Sequence, residues 1–90
     1  MTSQTKASGT DAASIASWMT SYVSAVLNLP PDAFSPSDQF DAYGLDSVEA
    51  VIMAGVMEEE YSVVIEPTEL LDHPSIDQFS LVLAARLASG

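Results

Sequence analysis

Ile15, Trp18, Met19, Tyr22, Val23, Val26 and Leu27 recur at intervals of three and four residues, a spacing that an α-helix gathers onto one face. Every member of this stripe is apolar, which favours core packing over a cofactor box around Trp18. Pro30 and Pro31 stop the helix, since proline has no N–H and clashes with the preceding turn. The same period returns near the other end of the chain in Ile76, Phe79, Leu83 and Leu87. Ser75 with Gln78 offers a capping box ahead of that last helix.

Between these two stripes, Asp46 and Glu49 form a D-x-x-E capping box that starts a second helix near Asp46 or Ser47, running to about Glu60. Val48, Val51, Met57 and Tyr61 are expected on its buried side. Glu58, Glu59 and Glu60 crowd a helix end where the dipole disfavours negative charge, so tertiary packing must hold the last turn. Gly55 weakens the helix by up to about 1 kcal/mol. Val63, Val64 and Ile65 have strand propensity but no second strand to pair with, and are expected as an apolar loop packed on the core. A short helical turn follows from Pro67 to Leu71.

The connection from Leu29 to Gly44 carries three prolines and scattered aromatics, and Phe34 and Phe40 are expected to pin it to the core. The fold class is therefore all-α: a small four-helix bundle, three main helices and one short, with a long loop between the first two. Residues 1–10 read as a disordered polar leader and 11–90 as one domain.

Charge narrows the partners. Thirteen Asp and Glu against Lys6 and Arg86 give a net charge of −11, which repels nucleic acid and anionic membranes and steers toward basic partners. With no cysteine, disulfides and thiolate metal sites are excluded. The longest apolar run, Val51 to Met57, is far short of the roughly 20 residues that span a bilayer. A cytoplasmic monomer that binds neither nucleic acid nor membrane is expected.

Catalytic machinery is sparse. His73 is the single histidine, and a G-x-S-x-G elbow around Ser47 would need glycine where Leu45 and Glu49 stand. Asp38, Asp41 and Asp46 lack EF-hand spacing. Glu58 and Glu59 point to different helix faces and are expected to be solvated. What remains is Ser47 at the start of a helix, where free N–H groups and the dipole favour an attached anion by about 0.3–1 kcal/mol. Asp46 is the better cap, which leaves the Ser47 hydroxyl spare.

GLDSVEAV, Gly44 to Val51, resembles the (D/G)-x-G-x-D-S-(L/V/I) signature of acyl carrier proteins and of carrier domains in polyketide and fatty acid synthases. The likeness extends from about Ile15 to Leu87, through EEEY closing the second helix and HPSI opening the last. It implies a 4′-phosphopantetheine, installed from coenzyme A by a phosphopantetheinyl transferase and attached to Ser47, whose thiol holds acyl groups as thioesters. It implies no catalysis by the chain itself, and as partners the transferase, a ketosynthase, an acyltransferase and other synthase enzymes. Where this family often places an acidic residue, five positions after the serine, this chain has Ile52. Asp46, Glu49, Ile52 and Val56 are accordingly expected to form a partner-binding face more apolar than usual. The alternatives are a peptidyl carrier of nonribosomal peptide synthesis, an unmodified acidic interaction module, and a hydrolase with a Ser47–His73 dyad. Leu45 before Asp46, where peptidyl carriers tend to read GGHS or GGDS, favours acyl cargo; Trp18 and Ile52 favour a polyketide pathway over fatty acid synthesis.

Overall fold

A computed structural model describes residues 9–89, in which the chain forms α1 (Ala12–Leu27), α2 (Ser47–Tyr61), α3 (Pro67–Asp72) and α4 (Ile76–Ser89). Residues 1–8 of the expected leader lie outside the described residues. No strand occurs among the described residues, only one isolated antiparallel bridge between Gln39 and Ser75. None of the helices is long and apolar enough to cross a membrane.

Asp11 caps α1, its Oδ1 accepting the Ser14 N–H at 3.0 Å. Hydrogen bonding from Ser14, its side-chain hydroxyl first and then that N–H, holds the Asp11 carboxyl below its usual range. Ile15, Met19 and Val23 are fully buried, while Trp18, Tyr22 and Leu27 pack partly against the core. Val26, expected with them, is 39% exposed, because burial falls away in the last turn. The helix stops before the prolines: Asn28 adopts a left-handed conformation, φ 56°, and the Leu29 N–H returns to the Ser24 carbonyl at 3.0 Å. Asparagine tolerates that conformation better than most side chains.

In α2 the buried face consists of Ala50, Met53, Ala54, Met57 and Tyr61. Met57 and Tyr61 lie inside as expected, but Val48 and Val51 are 65% and 48% exposed. Apolar residues surround this helix on all sides, so periodicity could not single out the inner one. The core takes the face where two alanines permit close approach, and the valines remain outside.

The long connection is ordered by two turns of 3₁₀ helix, Pro31–Ala33 and Phe40–Tyr43. Phe34 and Phe40 are buried as expected, and Phe34 stacks on Tyr43 with ring centroids 4.6 Å apart. Two backbone bonds fasten the loop to the start of α4: Phe40 N–H to the Pro74 carbonyl at 2.8 Å, and Asp77 N–H to the Pro36 carbonyl at 3.0 Å. The second satisfies one orphan donor of α4, and Ser75 Oγ satisfies another by accepting the Gln78 N–H at 3.1 Å.

After α2, residues 63–65 alternate: Ile65 is buried, Val63 packs partly on the core, and Val64, expected to pack there too, is 71% exposed. Nor is Glu58 simply solvated, since its Oε2 accepts the Ile65 N–H at 2.7 Å. An acid unfavourable to the helix dipole thus helps to fix the chain that follows.

Burial of the half-buried Tyr43 phenol, and then the charge of Asp38, raise its pKa from 10.0 to about 12. The unfolded chain gives up this proton near the ordinary tyrosine value, whereas the folded chain retains it. The contribution of Tyr43 to stability is complete below about pH 10 and is lost as pH rises toward 12. Tyrosinate absorbance should show Tyr43 titrating late, in step with the loss of helical circular dichroism. Tyr43→Phe should remove one phenol from the late-titrating absorbance.

Candidate functional site

Gly44 ends the second 3₁₀ turn at φ 98°, its N–H bonded to the Asp41 carbonyl at 3.3 Å. A Cβ there would meet nothing within 4 Å, so glycine answers a conformational demand worth about 1–2 kcal/mol to an L side chain. Leu45 then turns inward, 2% exposed, with its N–H on the Phe40 carbonyl at 3.0 Å. Asp46 is extended at φ −83°, ψ 179°, and its Oδ1 accepts the Glu49 N–H at 2.9 Å. A reversed turn, an apolar anchor and a cap therefore present Ser47, exposed, as the first residue of a 15-residue helix.

The capping box is seen in its Asp46 half. The Glu49 side chain is half-buried and lies toward Tyr22 of α1; burial and then the Glu49 charge raise the pKa of the Tyr22 phenol.

A cleft of about 230 Å³ opens beside Ser47. Phe40, Leu45, Ala50, Leu70 and Leu71 give it an apolar wall, and Asp46 and Ser47 stand among its polar lining. The exposed hydroxyl, the first-turn N–H groups without intrahelical acceptors and the adjoining cleft suit a phosphodiester-linked arm. They do not activate a nucleophile. His73 closes α3, its N–H on the Glu69 carbonyl at 3.0 Å, and no hydrogen bond joins it to Ser47 among the described residues.

Residues 17–83 match the family described as the phosphopantetheine attachment site. The chain belongs to this phosphopantetheine-binding carrier family. Such domains bear a 4′-phosphopantetheine and carry substrate instead of catalysing a reaction. A free-standing peptidyl carrier protein of an Acinetobacter baumannii secondary metabolic pathway is 29% identical, with a TM-score of 0.81 over 88% of this chain and 99% of that one. The acyl carrier protein LipD of Actinoplanes friuliensis is 31% identical, with a TM-score of 0.74 over 98% and 100% of the two chains. The nonribosomal peptide synthetase NPS2 of Ceriporiopsis subvermispora is 33% identical over 63 residues, which make up 70% of this chain and 3% of that protein. This carrier thus spans a small fraction of that relative's length.

Of the residues expected on the partner face, Asp46, Ile52 and Val56 are exposed, the last two at 50% and 39%, and Glu49 borders them. Val48, Val51 and Gly55 are exposed as well. The outer face of α2 is consequently uncharged from Val51 to Val56, between Asp46 and Glu49 at one end of the helix and Glu59 and Glu60 at the other. Sequence reasoning missed Leu70 and Leu71 as cleft residues. The adjacent leucines of PTELLD were a usable signal, since a short turn can bury one and leave the other at the surface.

Proposed function

We propose that Ser47 is the residue that carries the 4′-phosphopantetheine, and that the arm holds acyl groups as thioesters passed between enzymes of a polyketide synthase, with residues 11–90 as the carrier unit. The observation that supports this most is the free hydroxyl of Ser47 at the positive end of α2, where Asp46 already fills the capping role. Leu45 supports acyl cargo, as does the likeness to LipD. A second reading, aminoacyl cargo, is favoured by the likeness to a peptidyl carrier and to NPS2. Holo-protein offered acyl and aminoacyl donors with matching loading enzymes, and followed by intact mass, separates them. Acyl loading is expected, and aminoacyl loading alone would replace the reading.

Asp46, Glu49, Ile52 and Val56, joined by Val48 and Val51, are the surface proposed to meet the transferase and synthase enzymes. Acidic ends steer basic partners into place, and the uncharged middle supplies area that can be buried. Ile52→Asp should leave helical circular dichroism and thermal midpoint unchanged, since Ile52 is half exposed, while lowering acyl transfer to a cognate ketosynthase about tenfold or more. Loss of the fold in this variant would contradict the surface assignment.

A further inference from the structure

The six-residue α3 is too short to persist alone, yet its Leu70 and Leu71 form one wall of the cleft at Ser47. One side chain ties that wall to α4 at two points. Arg86 of α4, the only lysine or arginine among the described residues, pairs with the Glu69 carboxylate on α3 through one guanidinium nitrogen. Through another, at 3.1 Å, it donates to the Val64 carbonyl in the segment entering α3. Glu69 is doubly engaged, for its Oε2 also accepts the Glu66 N–H at 2.9 Å. Glu58 fixes the same segment from α2 through the Ile65 N–H. Apart from these polar ties, Leu70 is the one residue that α3 buries.

We propose that Arg86 is a positioning residue: by bridging Glu69 and the Val64 carbonyl it latches α3 against the bundle and sets how far the cleft beside Ser47 opens. Only a planar fork with several donors spans two acceptors on different segments in this way; a lysine ammonium is a point charge. With the latch broken, α3 can swing away on its flanking loops while α1, α2 and α4 stay packed through Met19, Met53, Met57, Phe79 and Leu83, all fully buried. Local opening is thereby separable from global unfolding. The bearing of the latch on a tethered arm rests on the Ser47 reading. The opening itself does not, so it is tested on protein without the arm.

The chain has no cysteine, so Leu70→Cys introduces a single thiol into the cleft wall and Met19→Cys a single thiol into the core. Thiol-trapping rates are compared across low denaturant concentrations. The Leu70→Cys rate should be nearly independent of denaturant, because local opening exposes little surface, and the Met19→Cys rate steeply dependent. Adding Arg86→Met should accelerate trapping at position 70 about tenfold while keeping that flat dependence. Arg86→Lys should fall between, retaining the charge without the second bond. Hydrogen exchange of the α3 amides in the cysteine-free protein, with and without Arg86→Met, gives the same comparison should Leu70→Cys fold poorly. The latch is refuted if position 70 is trapped only with the whole domain, at a denaturant dependence equal to that of position 19. It is refuted equally if Arg86→Met changes nothing, or if lysine restores the full protection.

Discussion

Ser47→Ala should leave a folded protein that gains no phosphopantetheine when incubated with coenzyme A and a broad-specificity transferase, whereas the native chain gains one. The loss is expected to be complete, because no other side chain at the site can form the phosphodiester. Stability should hardly move. Ser47 is exposed and makes none of the bonds that start α2, since Asp46 accepts the Glu49 N–H and its carbonyl takes the Ala50 N–H at 2.9 Å. Exposed substitutions away from such features stay within about 0.5 kcal/mol. Asp46→Ala provides the opposite contrast: it removes the cap at a cost of about 1 kcal/mol yet keeps the hydroxyl, so the thermal midpoint should fall and the mass gain should still reach one phosphopantetheine, at a lower rate because Asp46 belongs to the proposed transferase surface. Intact mass and circular dichroism on the two variants read both quantities. Modification of Ser47→Ala at another hydroxyl would end the assignment.

The parts of this molecule legible in the sequence are those where local chemistry and tertiary fit agree. Asp46, Gly44 and Pro67 each act through their own backbone or their immediate neighbours, so the helix starts and the exposed serine follow directly from GLDSV and EPTEL. The stripe Ile15, Met19 and Val23 was legible because Ser14, Ser17, Thr20, Ser21 and Ser24 interrupt the apolar residues of α1 at regular intervals. α2 offered no such contrast: its exposed valines and its buried alanines and methionines encircle the helix, and only the approach of the other elements decides which side is inside. Arg86 was equally opaque. Its partners Glu69 and Val64 are 17 and 22 residues away in the chain, and the one lysine or arginine beyond the first ten residues could have met any of thirteen carboxylates.

Phe40→Ala should strongly destabilise the fold, and it would link the long loop to the site. The ring is 5% exposed and forms part of the cleft wall, and truncating a buried phenylalanine costs about 3–5 kcal/mol. Against a total of about 5–15 kcal/mol for a domain, that is a large fraction. The thermal midpoint should fall by roughly 15 °C or more, at about 4–8 °C per kcal/mol for this size. A second consequence distinguishes Phe40 from an ordinary core residue. Its carbonyl accepts the Leu45 N–H and its N–H holds Pro74, so the ring anchors both the approach to Ser47 and the junction with α4. Modification by the transferase should therefore slow even at temperatures where the variant is still folded. Val23→Ala, which truncates a fully buried residue of α1, should lower stability without that kinetic effect. If Phe40→Ala instead lost little stability and was modified at the native rate, the loop would not be pinned by its aromatics, and the presentation of Ser47 would have to rest on Gly44, Leu45 and Asp46 alone.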